Sequence, residues 1–114
     1  LLIIEGAGGL LVPLNENDLV IDLITELGFP VILVCRSTLG TINHTLLSLE
    51  ALNIRKLPVA GVVMSGPVNM ENRRAIENYG RVRVLAEIPV LGNMVKHDLM
   101  LYGSRIADSL RLQE

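Results

Sequence analysis

The sequence has one cysteine, no tryptophan, one phenylalanine and two tyrosines. A single cysteine forms no internal disulfide and offers no cysteine cluster to a metal. Cys35 lies in an apolar run and reads as a core thiol. So few rings exclude a stacking platform for single-stranded nucleic acid. Basic charge is not in excess either. The 10 Lys and Arg stand against 12 Asp and Glu, a net charge of −2. That excludes a phosphate-tracking face, so no nucleic acid partner is expected. No apolar run reaches the ~18–20 residues that span a bilayer, and no basic head precedes Leu1 as in a secretory leader. A cytoplasmic chain with no membrane partner is expected.

What is present is aliphatic. Half of the 114 residues are hydrophobic, which excludes disorder, and the length fits one domain at most. The chain opens at Leu1, without Met, on a run that reads as a strand already buried. Residues 1–114 are therefore expected to be the carboxyl-terminal part of a longer protein, and part of a single α/β domain.

Short aliphatic runs alternate with helical patterns. Leu1–Ile4, Val31–Cys35, Val59–Met64 and Val82–Ile88 read as four strands. They are continuous rather than alternating, as in strands with helices on both faces. Asp18 is positioned to cap a helix with Leu19, Leu23, Ile24 and Leu27 on one face and Gly28 at its end. Ile42, Leu46, Leu49 and Leu52 repeat the pattern, ending near Asn53. Met70–Tyr79 predicts a polar helix stopped by Gly80, and Asp98–Leu112 one with Tyr102, Ile106 and Leu110 in a stripe. This order implies a parallel sheet with right-handed crossovers. In such sheets ligands sit beyond the carboxyl ends of the strands.

Four loops occupy those ends. The first is Glu5-Gly6-Ala7-Gly8-Gly9. An acid directly after buried apolar residues is costly unless paired or on a metal. The glycines let backbone approach a ligand. Together they point to a hard cation and a phosphate, or else to a tight turn with a solvated acid. The second, Arg36 to His44, runs into a helix start that can face an anion. Thr41 or Asn43 can equally be a plain N-cap there, and His44 a packed residue. The third, Ser65-Gly66-Pro67-Val68-Asn69, and the fourth, Pro89-Val90-Leu91-Gly92-Asn93, have the rigid composition that suits a flat base, or ordinary turns. Arg73 and Arg74 read as solvated.

The segments IIEGAGGLLVPL (Ile3–Leu14), PVILV (Pro30–Val34), LGTINH (Leu39–His44), Ala60-Gly61 and AEIP (Ala86–Pro89) together resemble the dethiobiotin synthetase family. Their order and spacing cover nearly the whole chain. The pairing of EGAGG with LGTINH is the specific part, since cobyrinate amidoligases and other P-loop relatives carry segments like EGAGG.

The resemblance implies a P-loop NTPase-like α/β fold and a homodimer. It implies a ligase of biotin biosynthesis that uses ATP, Mg²⁺ and CO2 to close a ureido ring on 7,8-diaminopelargonate. It places Glu5 on the metal and Gly6, Ala7 and Gly8 along the nucleotide. Leu39, Gly40, Thr41 and Asn43 fall near the substrate carboxylate, reaching across the dimer. Pro89, Val90 and Leu91 fall near adenine, as does Ser65, which stands where the family often has Asn. The phosphate-binding GxxxxGK[ST] loop, the catalytic lysine and a second metal acid are absent; the lysines here are Lys56 and Lys96. No catalytic residue is therefore assigned in this chain, and alone it is expected to be inactive. The alternatives are a cobyrinate-type amidoligase and a non-catalytic P-loop-like dimerisation module.

Overall fold

In the computed structural model, residues 2–6, 8–93 and 95–111 are described. In chain order they form α1 (Val20–Leu27), β1 (Val31–Arg36), α2 (Thr41–Ile54), β2 (Val59–Ser65), α3 (Met70–Gly80), β3 (Val84–Ile88) and α4 (Lys96–Arg111). The strands make one parallel sheet in the order β1-β2-β3. Each strand passes to the next through a helix, so all three carboxyl ends lie along one edge.

Partners in a parallel ladder share a face. Leu33 and Cys35 stand beside Val62 and Met64, and Val62 beside Val84. Against this face α2 contributes Leu49 and α3 contributes Ile76. Val62, Met64 and Ile76 are completely buried, each worth about 1.5–3 kcal/mol over leaving the side chain in water. Cys35 packs against this cluster as a half-buried free thiol.

The opposite face is covered unevenly. α4 lies against β3, where Ser109 Oγ donates to the Leu85 carbonyl at 3.1 Å. The Leu85 side chain fills the space beside Gly61. At β1 the cover stops, and Ile32 and Val34 are 41% and 65% exposed. Coverage of both faces thus holds for β2 and β3, while β1 has one open face.

The strand expected at Leu1–Ile4 does not form. Leu1 is outside the described residues; Leu2, Ile3 and Ile4 are exposed and belong to no ladder. A strand exists only through a neighbour that takes its backbone donors and acceptors. The described sheet therefore has three strands rather than four.

Helix ends bring further corrections. Leu19, not Asp18, is the N-cap of α1. The Leu19 N–H donates to Asp22 Oδ2 at 2.7 Å, while Asn15 Nδ2 donates to the Asp18 carboxylate. The buried residues of α1 are Val20 and Ile21, and Leu23 is exposed. Gly28 does close the helix, in the left-handed region. Gly80 is still helical, and Arg81 takes the left-handed position that ends α3. A Cβ on Gly80 would stand 2.7 Å from Leu49 Cδ1, so this glycine allows α3 to approach α2. β3 starts at Val84 rather than Val82, and Val82 packs on the core. α4 starts at Lys96, and its expected end at Leu112 lies outside the described residues.

Candidate functional site

The loops at the carboxyl edge are tied to one another. The Ser37 N–H donates to the Ser65 carbonyl at 3.0 Å, and the Gly66 N–H to the Ile88 carbonyl at 2.9 Å. Ser37 Oγ, on a buried residue, donates to the Pro67 carbonyl at 2.5 Å. Asn72 Nδ2 donates to the Ser37 carbonyl at 3.2 Å. Gly66, at φ 125°, sits so close to Ser37 that a Cβ would stand 2.7 Å from its Oγ.

The first and second loops meet at a cavity of about 430 Å³. Gly8 lines it from one side; Arg36, Thr38, Leu39, Thr41 and His44 are among the residues lining the other. Some thirty residues separate Gly8 from this group in the sequence. The first loop is held from behind by α1, where Ile21 N–H donates to the Leu10 carbonyl and Val20 N–H to the Val12 carbonyl, both at 2.9 Å.

Glu5 and Gly6 are exposed, and Ala7 is outside the described residues. Glu5 follows an exposed segment rather than a buried strand, so burial does not force a partner on its carboxylate. It makes no hydrogen bond or ion pair to a described residue.

In the second loop Leu39 is fully exposed. Gly40 is the N-cap of α2, at φ 91°, with no side-chain cap, so neither Thr41 nor Asn43 caps the helix. Thr41 Oγ1 donates to the Arg36 carbonyl and approaches Thr45 Oγ1 at 3.4 Å. The Thr41 N–H donates to the Thr38 carbonyl at 3.1 Å. Thr41 therefore shapes the loop through both groups. Asn43 is exposed, and its carboxamide bonds to no described residue. The His44 ring lies over Gly40, on the cavity wall.

Ser65, Pro89, Val90 and Leu91 lie at the ends of β2 and β3, away from this cavity. Ser65 and Val90 are exposed; Pro89 and Leu91 are half-buried. The site is thus two neighbouring parts, a cavity between the first two loops and a ledge formed by the last two.

Sequence reasoning missed the side chains that brace the ledge. Arg73, read as solvated, has Nη1 3.2 Å from Glu87 Oε2 and Nε 3.5 Å from Glu77 Oε1. Glu87, with a side chain only 10% exposed, is the acid that burial obliges to pair. Its place inside an aliphatic strand was the available signal, together with the Arg73/Glu77 helical spacing.

The model of a family described as AAA domain matches residues 1–98. The biotin biosynthesis bifunctional protein BioCD of Bordetella avium is 68% identical over 90 residues, which are 79% of this chain and 19% of that protein. The ATP-dependent dethiobiotin synthetase BioD of Paramagnetospirillum magneticum is 58% identical over 90 residues, 79% of this chain and 44% of that enzyme. The BioD of Lawsonia intracellularis is 51% identical over 98 residues, 86% of this chain and 48% of that enzyme. The chain spans less than half the length of each of these relatives. With a match over most of its length, and with the parallel α/β architecture described above, the chain belongs to the AAA domain family.

Proposed function

We propose that the chain is the carboxyl-terminal part of an ATP-dependent dethiobiotin synthetase of biotin biosynthesis, working as a homodimer in the cytoplasm. The observation that carries this reading is the shared cavity, where Gly8 of EGAGG faces the LGTINH segment. Relatives named for that activity are 51–58% identical over 90 and 98 residues of the chain.

The reaction consumes 7,8-diaminopelargonate, CO2 and ATP. One amine nitrogen bonds to the carbon of CO2 and loses a proton, giving a carbamate. A carbamate oxygen attacks the γ-phosphorus and ADP leaves. The second amine then attacks the carbamoyl carbon, phosphate leaves with its bonding electrons, and a proton is released as the ring closes. Catalysis here is mostly positioning and charge neutralisation.

In this scheme the exposed Asn43 carboxamide and the first-turn N–H groups of α2 beyond Thr41, whose own N–H is held by the Thr38 carbonyl, hold the substrate carboxylate. Leu39 and Gly40 shape that end of the site, and Thr41 locks the loop. The glycines of the first loop bring backbone close to the phosphates. Ser65, Pro89, Val90 and Leu91 line the base. The groups that cradle the β- and γ-phosphates belong to a GxxxxGK[ST] loop outside these 114 residues, as no such motif occurs here.

Glu5 suits a magnesium ion carried with the nucleotide. Among the described residues no group of three or more His, Cys, Asp or Glu side chains is placed to hold a metal ion. A single free carboxylate is what an ion bound chiefly by phosphates and water requires. When bound, Mg²⁺ neutralises charge on the phosphates.

Asn43→Ala in the complete enzyme tests the reading. The KM for diaminopelargonate is expected to rise about tenfold, as for loss of a hydrogen bond to a charged group, with little change for ATP. Equal changes for both substrates, or none, overturn it.

A further inference from the structure

We propose that the Arg73–Glu87 ion pair is a positioning device that locks the third loop to the fourth and thereby sets nucleotide affinity, without touching nucleotide or substrate. The proposal rests on the reading of these two loops as the base side of the site.

Glu87 lies in β3, one residue before Ile88 and two before Pro89, at the root of the fourth loop. Both of its carboxylate oxygens are engaged. Oε2 takes Arg73 Nη1 at 3.2 Å, and Oε1 accepts the N–H of Asn69 at 3.4 Å. Asn69 is the last residue of the third loop and the N-cap of α3; its Oδ1 accepts the Asn72 N–H at 3.0 Å. Asn72 passes the connection to the second loop through the Ser37 carbonyl. On its other side Arg73 reaches Glu77 at 3.5 Å, whose Oε1 accepts the Val84 N–H at 3.1 Å, at the start of β3.

Arg73 thus stands between two carboxylates, and each also holds a backbone N–H. One of these fixes the start of β3 and the other fixes the end of the third loop. If packing were the only requirement, a pair of apolar side chains would fill the same space at no electrostatic cost. The directional contacts add a fixed distance between Asn69 and Glu87. The separation of the third and fourth loops follows from it, and a ledge that grips a flat ring depends on that separation.

The test uses the complete enzyme with Arg73→Ala, Arg73→Lys and Glu87→Gln, measuring KM for ATP, KM for diaminopelargonate, kcat and thermal midpoint. Arg73→Ala is expected to raise the KM for ATP about tenfold and to leave the KM for diaminopelargonate nearly unchanged. Arg73→Lys, which keeps the charge, should recover part of the loss. Arg73→Ala combined with Glu87→Gln should be no worse for ATP than the poorer single variant, because the two residues act as one unit. Hydrogen exchange at the Gly66 amide should quicken in Arg73→Ala more than at Ile21, a readout that needs no turnover. A lowered midpoint with both KM values moved equally, or an unchanged Gly66 amide, overturns the clamp. Wild-type enzyme without ATP-dependent ring closure instead overturns the functional reading, and the clamp's role with it.

Discussion

The first and third loops both belong to the candidate site and both contain glycine, three residues in one and a single Gly66 in the other, yet they are held in different ways. The third is fastened on both flanks, through Ser37 to the second loop and through Ile88 and Glu87 to the strand beside it. The first begins at Glu5, which has no partner among the described residues, and is anchored just past its last glycine, where the Leu10 and Val12 carbonyls accept two backbone bonds from α1. A braced loop is suited to reading shape, because its geometry exists before the ligand arrives. A loop with a free carboxylate is suited to holding a cation that arrives with the ligand. On the proposed function, the two loops would divide recognition from charge neutralisation.

The largest expected effect lies at the free end. Glu5→Gln removes one charge and nothing else, since no described residue pairs with Glu5. The thermal midpoint should stay where it is. The ring-closing rate of the complete enzyme should fall about 100-fold, as for several kcal/mol of lost charge stabilisation at a metal. Wild-type rates at ordinary Mg²⁺ would remove Glu5 from the metal site and erase the contrast between the loops.

The braced loop should show the reverse pattern in stability. Gly66→Ala puts a Cβ at φ 125° and 2.7 Å from Ser37 Oγ, and should cost about 2–3 kcal/mol in denaturant unfolding through strain and a broken bond. Gly9→Ala meets nothing within 4 Å and should stay within about 0.5 kcal/mol. Ser37→Ala, which strips the hydroxyl from the Pro67 carbonyl, should cost about 1–2 kcal/mol. The double change Gly66→Ala with Ser37→Ala should cost less than the sum, because the clashing oxygen is gone. Additive costs would show that Ser37 Oγ is not what constrains Gly66.

What the sequence made legible follows the same division. β2 and α2 were readable because their signals are local: an unbroken aliphatic run, and leucines at helical spacing. Leu2–Ile4 carries an equally aliphatic signal and forms no strand, because pairing depends on a neighbour that local pattern does not reveal. The EGAGG and LGTINH segments were visible as motifs, while their meeting at one cavity is a product of the fold. Thr41 was named for the substrate loop, but its hydroxyl turns inward to the Arg36 carbonyl, a direction that composition does not encode. An acid at position 87 inside an aliphatic run and the Arg73/Glu77 spacing hint at a brace, but that Arg73 of α3 reaches Glu87 of β3, and Ser37 the Pro67 carbonyl, is set by tertiary contacts that local pattern does not encode.

The smallest expected effect concerns the tether of the first loop. Asp22 accepts the Leu19 N–H at the start of α1 and pairs with Arg55, just beyond α2. The Leu19 N–H first, and the Arg55 guanidinium second, hold the Asp22 carboxyl below its ordinary value. A depressed value in the folded state means that the stabilisation is fully present above the unfolded value of about 3.9 and is lost as pH falls through the lower folded value. Below that window the protonated acid holds neither partner, and α1 loosens. The two side chains are 38% and 32% exposed, so water screens the pair and the effect should be small and weakened by salt. Asp22→Asn should match the wild type in very acidic solution and be the less stable of the two near neutral pH. Near neutral pH it should also quicken hydrogen exchange at the Val20 and Ile21 amides, which hold the first loop, and leave the Ser37 and Gly66 amides unchanged. Equal acceleration at all four amides would mean that the loops share a single anchor.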